Sequence, residues 1–112
     1  MDEIPENFFI CEEYTQYTEN ICGISQTFFA SPAASTDYDL TGQVLWPGAK
    51  YLAEYLLNHK ELIENKLILE VGAGSGLCGL ACSHFASKTI LTDGNEIVMR
   101  LLEKNKNFGK KA

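Results

Sequence analysis

The sequence predicts an α/β fold built on parallel strands, and three observations predict it. Leu67–Val71 is an apolar run of strand length, and glycines at 72, 74, 76 and 79 follow it at once. Apolar residues then recur at helical spacing until a second apolar run, Thr89–Thr92, ending at Asp93. A strand, a helix and a strand joined this closely run parallel, with a right-handed crossover. With a helix before and another after, residues 41–112 read as the opening part of a Rossmann-like sheet: its first two parallel strands and their flanking helices. Residues 1–40 read as a leader of short strands and irregular loop.

In the leader, Ile10–Cys11 and Ile21–Ile24 fit short strands, with Gly23 breaking the second. Phe28–Pro32 then enters a Ser/Thr/Asp-rich loop ending near Thr41–Gly42. From Pro47, a residue tolerated early in helices, Ala49, Leu52, Ala53, Leu56 and Leu57 keep the i, i+3, i+4 rule to near Asn58–His59. The charged connector Lys60–Lys66 leads to Leu67–Val71, which is apolar on both alternating faces, as a parallel strand covered by helices on both sides must be. Leu77, Leu80, Ala81, His84 and Phe85 place a helix after the glycines. Ile97, Val98, Leu101 and Leu102 place another, fraying over Asn105–Gly109.

Charge is uneven along the chain. Residues 1–49 hold eight acids and no Lys or Arg, whereas residues 50–112 hold nine bases against seven acids, for a net charge of −6. That balance offers no basic footprint for nucleic acid. The short cluster Lys104, Lys106, Lys110 and Lys111 fits a solvated helix end. The acidic N-terminal half suits solubility, or steering of a lysine-bearing partner. No run of 18 apolar residues spans a membrane, and Met1–Asp2–Glu3 is unlike a secretory signal. The expectation is a cytoplasmic protein, with the nucleus also open to it. In that setting Cys11, Cys22, Cys78 and Cys82 read as thiols rather than a disulfide framework, and Cys78 and Cys82, four apart, as small buried residues. No metal site is expected.

The glycine-rich turn carries the chemistry. A strand that bends sharply into a helix needs backbone angles a Cβ disfavours, and a ligand there approaches the main chain closely. The next helix presents free N–H groups that suit a carboxylate or phosphate. Two patterns overlap. Glu70-x-Gly72-x-Gly74-x-Gly76 fits a turn for S-adenosylmethionine (SAM), and Gly74-x-Gly76-x-x-Gly79 with Asp93 fits the dinucleotide fingerprint for NAD. Two features favour SAM. A strand carboxylate at Glu70 needs a cation or donors, and the ammonium of a methionine moiety supplies one. Moreover, a helix precedes the glycine strand, whereas dinucleotide folds usually begin with that strand. Asp93 can accept from ribose hydroxyls, and can also cap the next helix with Glu96 as a capping-box partner. Glu70 has an alternative as a helix or loop partner. Ser75 fits a ligand donor or a small turn residue equally well, and Gly79 and Ala81 fit close packing.

Thr41–Ala49, Leu69–Leu80 and Leu91–Glu96, taken in that order, resemble the family-16, lysine methyltransferase-like group of seven-stranded SAM-dependent methyltransferases. The resemblance covers about residues 41–107 and implies a partial SAM-dependent methyltransferase fold. It implies that Gly72, Gly74 and Gly76 shape the SAM pocket, Glu70 faces the methionine end and Asp93 holds the ribose. Trp46 falls at the aromatic position lining the cofactor, though a lone Trp serves a core equally well. Members of the group mostly methylate lysines of intracellular proteins such as chaperones, elongation factors and calmodulin, and Thr92–Glu96 is similar to the calmodulin branch. Such members need about twice this length. The sequence therefore reads as a partial lysine methyltransferase, without a complete active site and with its catalytic residues unassigned. A non-catalytic interaction fragment is the alternative, with self-association through an uncovered sheet edge.

Overall fold

The computed structural model describes residues 14–31, 45 and 47–109. The expected strand at Ile10–Cys11, the loop ending near Thr41–Gly42, and Trp46 lie outside them. The order is β1 (Thr15–Ile21), β2 (Ile24–Ala30), α1 (Pro47–Leu57), a 3-10 turn at Lys60–Leu62, β3 (Leu67–Val71), α2 (Leu77–Cys82), β4 (Lys88–Thr92), α3 (Glu96–Asn105) and a 3-10 turn at Lys106–Phe108. β3 and β4 pair in parallel, with Glu70 opposite Leu91 and Val71 opposite Thr92. The short strand–helix–strand spacing requires that arrangement. Among the described residues, no helix is long and apolar enough to cross a membrane.

The leader differs from expectation. β1 and β2 form an antiparallel hairpin of seven-residue strands, with Ile21 opposite Ile24 and Thr15 opposite Ala30. Gly23 joins the strands instead of breaking one. Cys22 and Gly23 have φ of +50° and +86°, and two positive φ values in a row make the two-residue turn whose twist matches paired strands. Phe28–Ala30 accordingly continues β2 rather than opening a loop. Ile21, Phe28 and Ala30 enter one core with Ala53 and Leu57 of α1, Ile63, and the apolar residues of α2. An ion pair from Lys50 to Glu19, 3.5 Å, crosses from α1 to β1 at the surface.

α2 is the centre of this packing, since all six of its residues are buried. It is shorter than the apolar spacing predicts, ending at Cys82 before His84 and Phe85. Ser83 explains the stop: its hydroxyl donates to the Leu80 carbonyl, a local bond that competes with the helical ladder. The turns that follow tie to the connector before β3, with Asn65 N donating to Phe85 O at 3.0 Å and Ser87 N to Lys66 O at 2.9 Å. The expected burial of β3 on both faces is also only half met. Ile68 and Glu70 are half-buried on the α2 side, whereas Leu67, Leu69 and Val71 on the other face are 68%, 62% and 79% exposed.

Candidate functional site

The turn between β3 and α2 is shaped by three glycines. Gly72, Gly74 and Gly76 have φ of +72°, +59° and +89°, a region where an L side chain costs roughly 1–2 kcal/mol. Space distinguishes them. A Cβ on Gly76 would lie 2.8 Å from Leu102 Cδ2 and 3.2 Å from Leu91 Cδ1, against α3 and β4. A Cβ on Gly72, or on Gly94 after β4, would meet nothing within 4 Å. Open space therefore flanks the C-terminal ends of both parallel strands, the side on which open α/β sheets take ligands. Backbone bonds hold the bend: Ala73 N donates to Thr92 O at 2.8 Å and Gly76 N to Ala73 O at 2.9 Å.

Asp93, directly after β4, ties both loops together. Its Oδ2 accepts from Gly74 N at 3.1 Å and its Oδ1 from Asn95 N at 3.0 Å. The expected capping box is absent. Asn95 caps α3, its Oδ1 accepting from Ile97 N at 2.8 Å and Val98 N at 3.2 Å, because the helix begins at Glu96 and the Asp93 side chain is committed to Gly74. Glu96 instead pairs at the surface with Arg100 at 3.7 Å.

Glu70 is anchored to α2, its Oε1 accepting from Gly79 N at 3.2 Å. That bond is the helix-partner role the sequence leaves open. It meets an N–H of the first helical turn, which Gly76 at the N-cap has no side chain to satisfy. Burial pushes the Glu70 carboxyl above the ordinary carboxylate value, and the Gly79 N–H partly opposes the rise. Close packing explains Gly79: a Cβ there would fall 2.0 Å from Leu91 Cδ2 and 2.9 Å from Glu70 Oε1. Both carboxylates thus reach the main chain of the segment from Gly74 to Gly79, one from each strand.

Ser75 is 4% exposed, and its carbonyl accepts from Asn105 Nδ2 at 2.8 Å. Asn105, expected at a fraying helix end, is instead fully buried. Cys78 and Cys82 are buried, as expected, and their mutual hydrogen bond together with burial raises the Cys78 thiol above the usual range. Among the described residues no group of His, Cys, Asp and Glu is placed to hold a metal. A cavity of about 500 Å³ lies elsewhere, between α2, β4 and α3, with Leu91, Met99 and Leu102 in its wall. Neither carboxylate nor any residue from Gly72 to Gly76 lines it.

Residues 34–112 match a family model described as lysine methyltransferase. Histone-arginine methyltransferase METTL23 of Mus musculus is 42% identical over 55 residues, covering 49% of this chain and 22% of that protein. Protein-lysine N-methyltransferase EEF2KMT of Homo sapiens is 44% identical over 48 residues, covering 43% of this chain and 14% of that protein. The aligned stretches thus span less than a quarter of these relatives. Among solved structures, the 16S rRNA N2 G1207 methyltransferase RsmC of T. Thermophilus, in complex with AdoMet and guanosine, superposes with a TM-score of 0.64 at 19% identity, covering 84% of this chain and 24% of that one. That likeness bears on the fold: the α/β unit is part of a Rossmann-like methyltransferase fold.

Proposed function

The chain belongs to the lysine methyltransferase family, and from that premise we propose that it binds SAM at the Gly72–Gly76 turn, as the cofactor-holding part of a protein-lysine methyltransferase. The observation that carries the proposal is the open space beside Gly72 and Gly94, with the Asp93 carboxylate bonded to the main chain of both loops at Gly74 and Asn95. A Cβ at Gly72 would intrude where a ligand has to approach the main chain. SAM supplies an activated methyl group, so the protein has mainly to hold it and to admit a neutral amine in line.

Each residue then has a role. Gly72, Gly74 and Gly76 let the backbone approach the cofactor, and Asp93 receives the ribose hydroxyls on carboxylate lone pairs not used by Gly74 and Asn95. Glu70, with one oxygen on Gly79, directs its charge toward the methionine ammonium. Ser75 shapes the bend, and Trp46 lines the pocket by family likeness. Lysine as the acceptor is supported by the family description and by EEF2KMT. METTL23 makes arginine the competing acceptor, and methylation assays on lysine and arginine peptides separate the two.

Isothermal titration of the chain with SAM, S-adenosylhomocysteine and NAD tests the cofactor assignment. Saturable heat with the first two and none with NAD is expected; binding of NAD alone would overturn it. Self-association is a second proposal, supported by the bare face of Leu67, Leu69 and Val71, since exposed contiguous apolar surface favours contact between molecules. Sedimentation that depends on concentration is its expected signature, and a monomer at all concentrations refutes it.

A further inference from the structure

Asn105 is 0% exposed and makes three short hydrogen bonds at the end of α3. Its Oδ1 accepts from Phe29 N at 2.7 Å, and its Nδ2 donates to Phe29 O at 2.9 Å and to Ser75 O at 2.8 Å. One carboxamide thus meets both backbone groups of a β2 residue 76 positions away, and the carbonyl of the central residue of the glycine turn 30 positions away. An amide side chain presents an acceptor and two donors, and here all three are used in a site closed to water. No other residue type offers that set at that size. Aspartate lacks the donors, leucine lacks everything polar, and glutamine is a methylene too long for a packed site.

Two features of the surroundings show that the bonds fix a position and do more than fill space. Phe29 presents its N–H and C=O away from β1, so Asn105 stands where a neighbouring strand's peptide group would. Ser75 in turn sits between Gly74 and Gly76, whose backbones have no side chain to brace them. Other ties on that stretch run from Gly74 N to Asp93, from Gly76 N to Ala73 O and from Leu80 N to Gly76 O; these lead to the β4 end, the turn itself and α2, not to the hairpin.

We infer that Asn105 is a positioning residue that couples the β1–β2 hairpin to the glycine turn, so that the hairpin sets the turn's geometry and thereby its affinity for cofactor. The coupling stands on the hydrogen bonds alone. Its consequence for cofactor affinity rests on the SAM assignment proposed above.

The test compares Asn105→Asp with Val98→Ala, a buried α3 residue whose truncation loosens the core without touching Ser75 or Phe29 bonds. Amide hydrogen exchange is followed at Phe29 and across Ser75–Leu77, and SAM affinity by titration. Asn105→Asp sets a second acceptor against the Phe29 and Ser75 carbonyls, so exchange should accelerate at both places. SAM affinity should fall about tenfold, the equivalent of one buried hydrogen bond. Val98→Ala should leave affinity within about twofold, since it breaks no bond to the turn. Should Asn105→Asp not fold, Gly23→Val tests the coupling from the other end: it strains the hairpin turn at φ +86° in open space, and must also speed exchange at Ser75–Leu77. Exchange at Ser75–Leu77 that is no faster in Asn105→Asp than in Val98→Ala, or unchanged in Gly23→Val, overturns the inference. If the unaltered chain binds no SAM, the cofactor assignment fails while the exchange measurements still decide the coupling.

Discussion

Replacing Asp93 by Asn changes one atom and removes one charge, yet the structure gives it a definite cost. Both carboxylate oxygens face backbone donors, Gly74 N at 3.1 Å and Asn95 N at 3.0 Å. An amide has a single oxygen, so one of the two N–H groups must face an NH₂. The loss is one hydrogen bond to a charged acceptor, worth about 1.5–3 kcal/mol, plus a donor-to-donor contact. Asp93 is only partly buried, so water can rescue part of this and about 1–2 kcal/mol is expected. For a chain of this size that lowers the melting midpoint by roughly 4–16 °C. Urea unfolding followed by circular dichroism reads the free energy directly, and an unchanged slope would show that compactness is unaffected. The variant should also lose SAM affinity, because the ribose would compete with an amide that has fewer lone pairs. Equal stability of Asp93→Asn and the unaltered chain would refute the two-loop tie, whatever happened to binding.

Four other substitutions separate backbone, packing, charge and surface effects. Gly72→Ala should cost about 1 kcal/mol from positive φ alone and weaken SAM binding by filling the open side. Gly76→Ala should cost about 1–3 kcal/mol more, because its methyl meets Leu102 and Leu91 as well; comparing the two by thermal unfolding isolates packing, and equal losses would contradict it. Glu70 has a folded pKa raised by burial above the ordinary 4.5, so between the two values the folded state keeps a proton the unfolded state has released. Its contribution therefore raises stability as pH falls through that window and lowers it above, and Glu70→Gln, which keeps an acceptor for Gly79 N–H, should flatten this slope. A slope unaltered by the substitution would remove Glu70 as its source. Leu69→Lys on the bare face should change stability by no more than about 0.5 kcal/mol while reducing any association seen in sedimentation.

The α/β unit was legible because its signals are local and repeated. Leu67–Val71, the glycines and the spacing of Val98, Leu101 and Leu102 each declare one element, and tertiary packing agrees with them. The hairpin was hidden because it breaks two usual rules. Cys22, not Asn or Asp, takes the first positive φ of its turn, and Gln26 occupies an inward position between Ile24 and Phe28. Gln26 is 1% exposed and survives there because its Nε2 donates to Thr27 O and Phe108 O, both at 3.0 Å, while His84 Nε2 lies 2.8 Å from its Oε1. Such partners come from 82 and 58 positions away and leave no mark on local periodicity. Asn105 escaped for the same reason: a polar residue at a helix end ordinarily meets water, and only the fold brings β2 and the glycine turn to it. The positive-φ bend at Gly72, Gly74 and Gly76 was readable from the glycine spacing. Which acceptor served which amide was not, as the shift of the α3 cap from Asp93 to Asn95 shows.

Cofactor binding at the ends of β3 and β4, as proposed, can be mapped by titrating SAM and following amide chemical shifts. Saturable shifts concentrated at Gly72–Leu77 and at Asp93–Asn95 are expected. Shifts centred instead on Ser87–Thr89 and Lys106, in the wall of the α2–β4–α3 cavity, or none at saturating SAM, would contradict it.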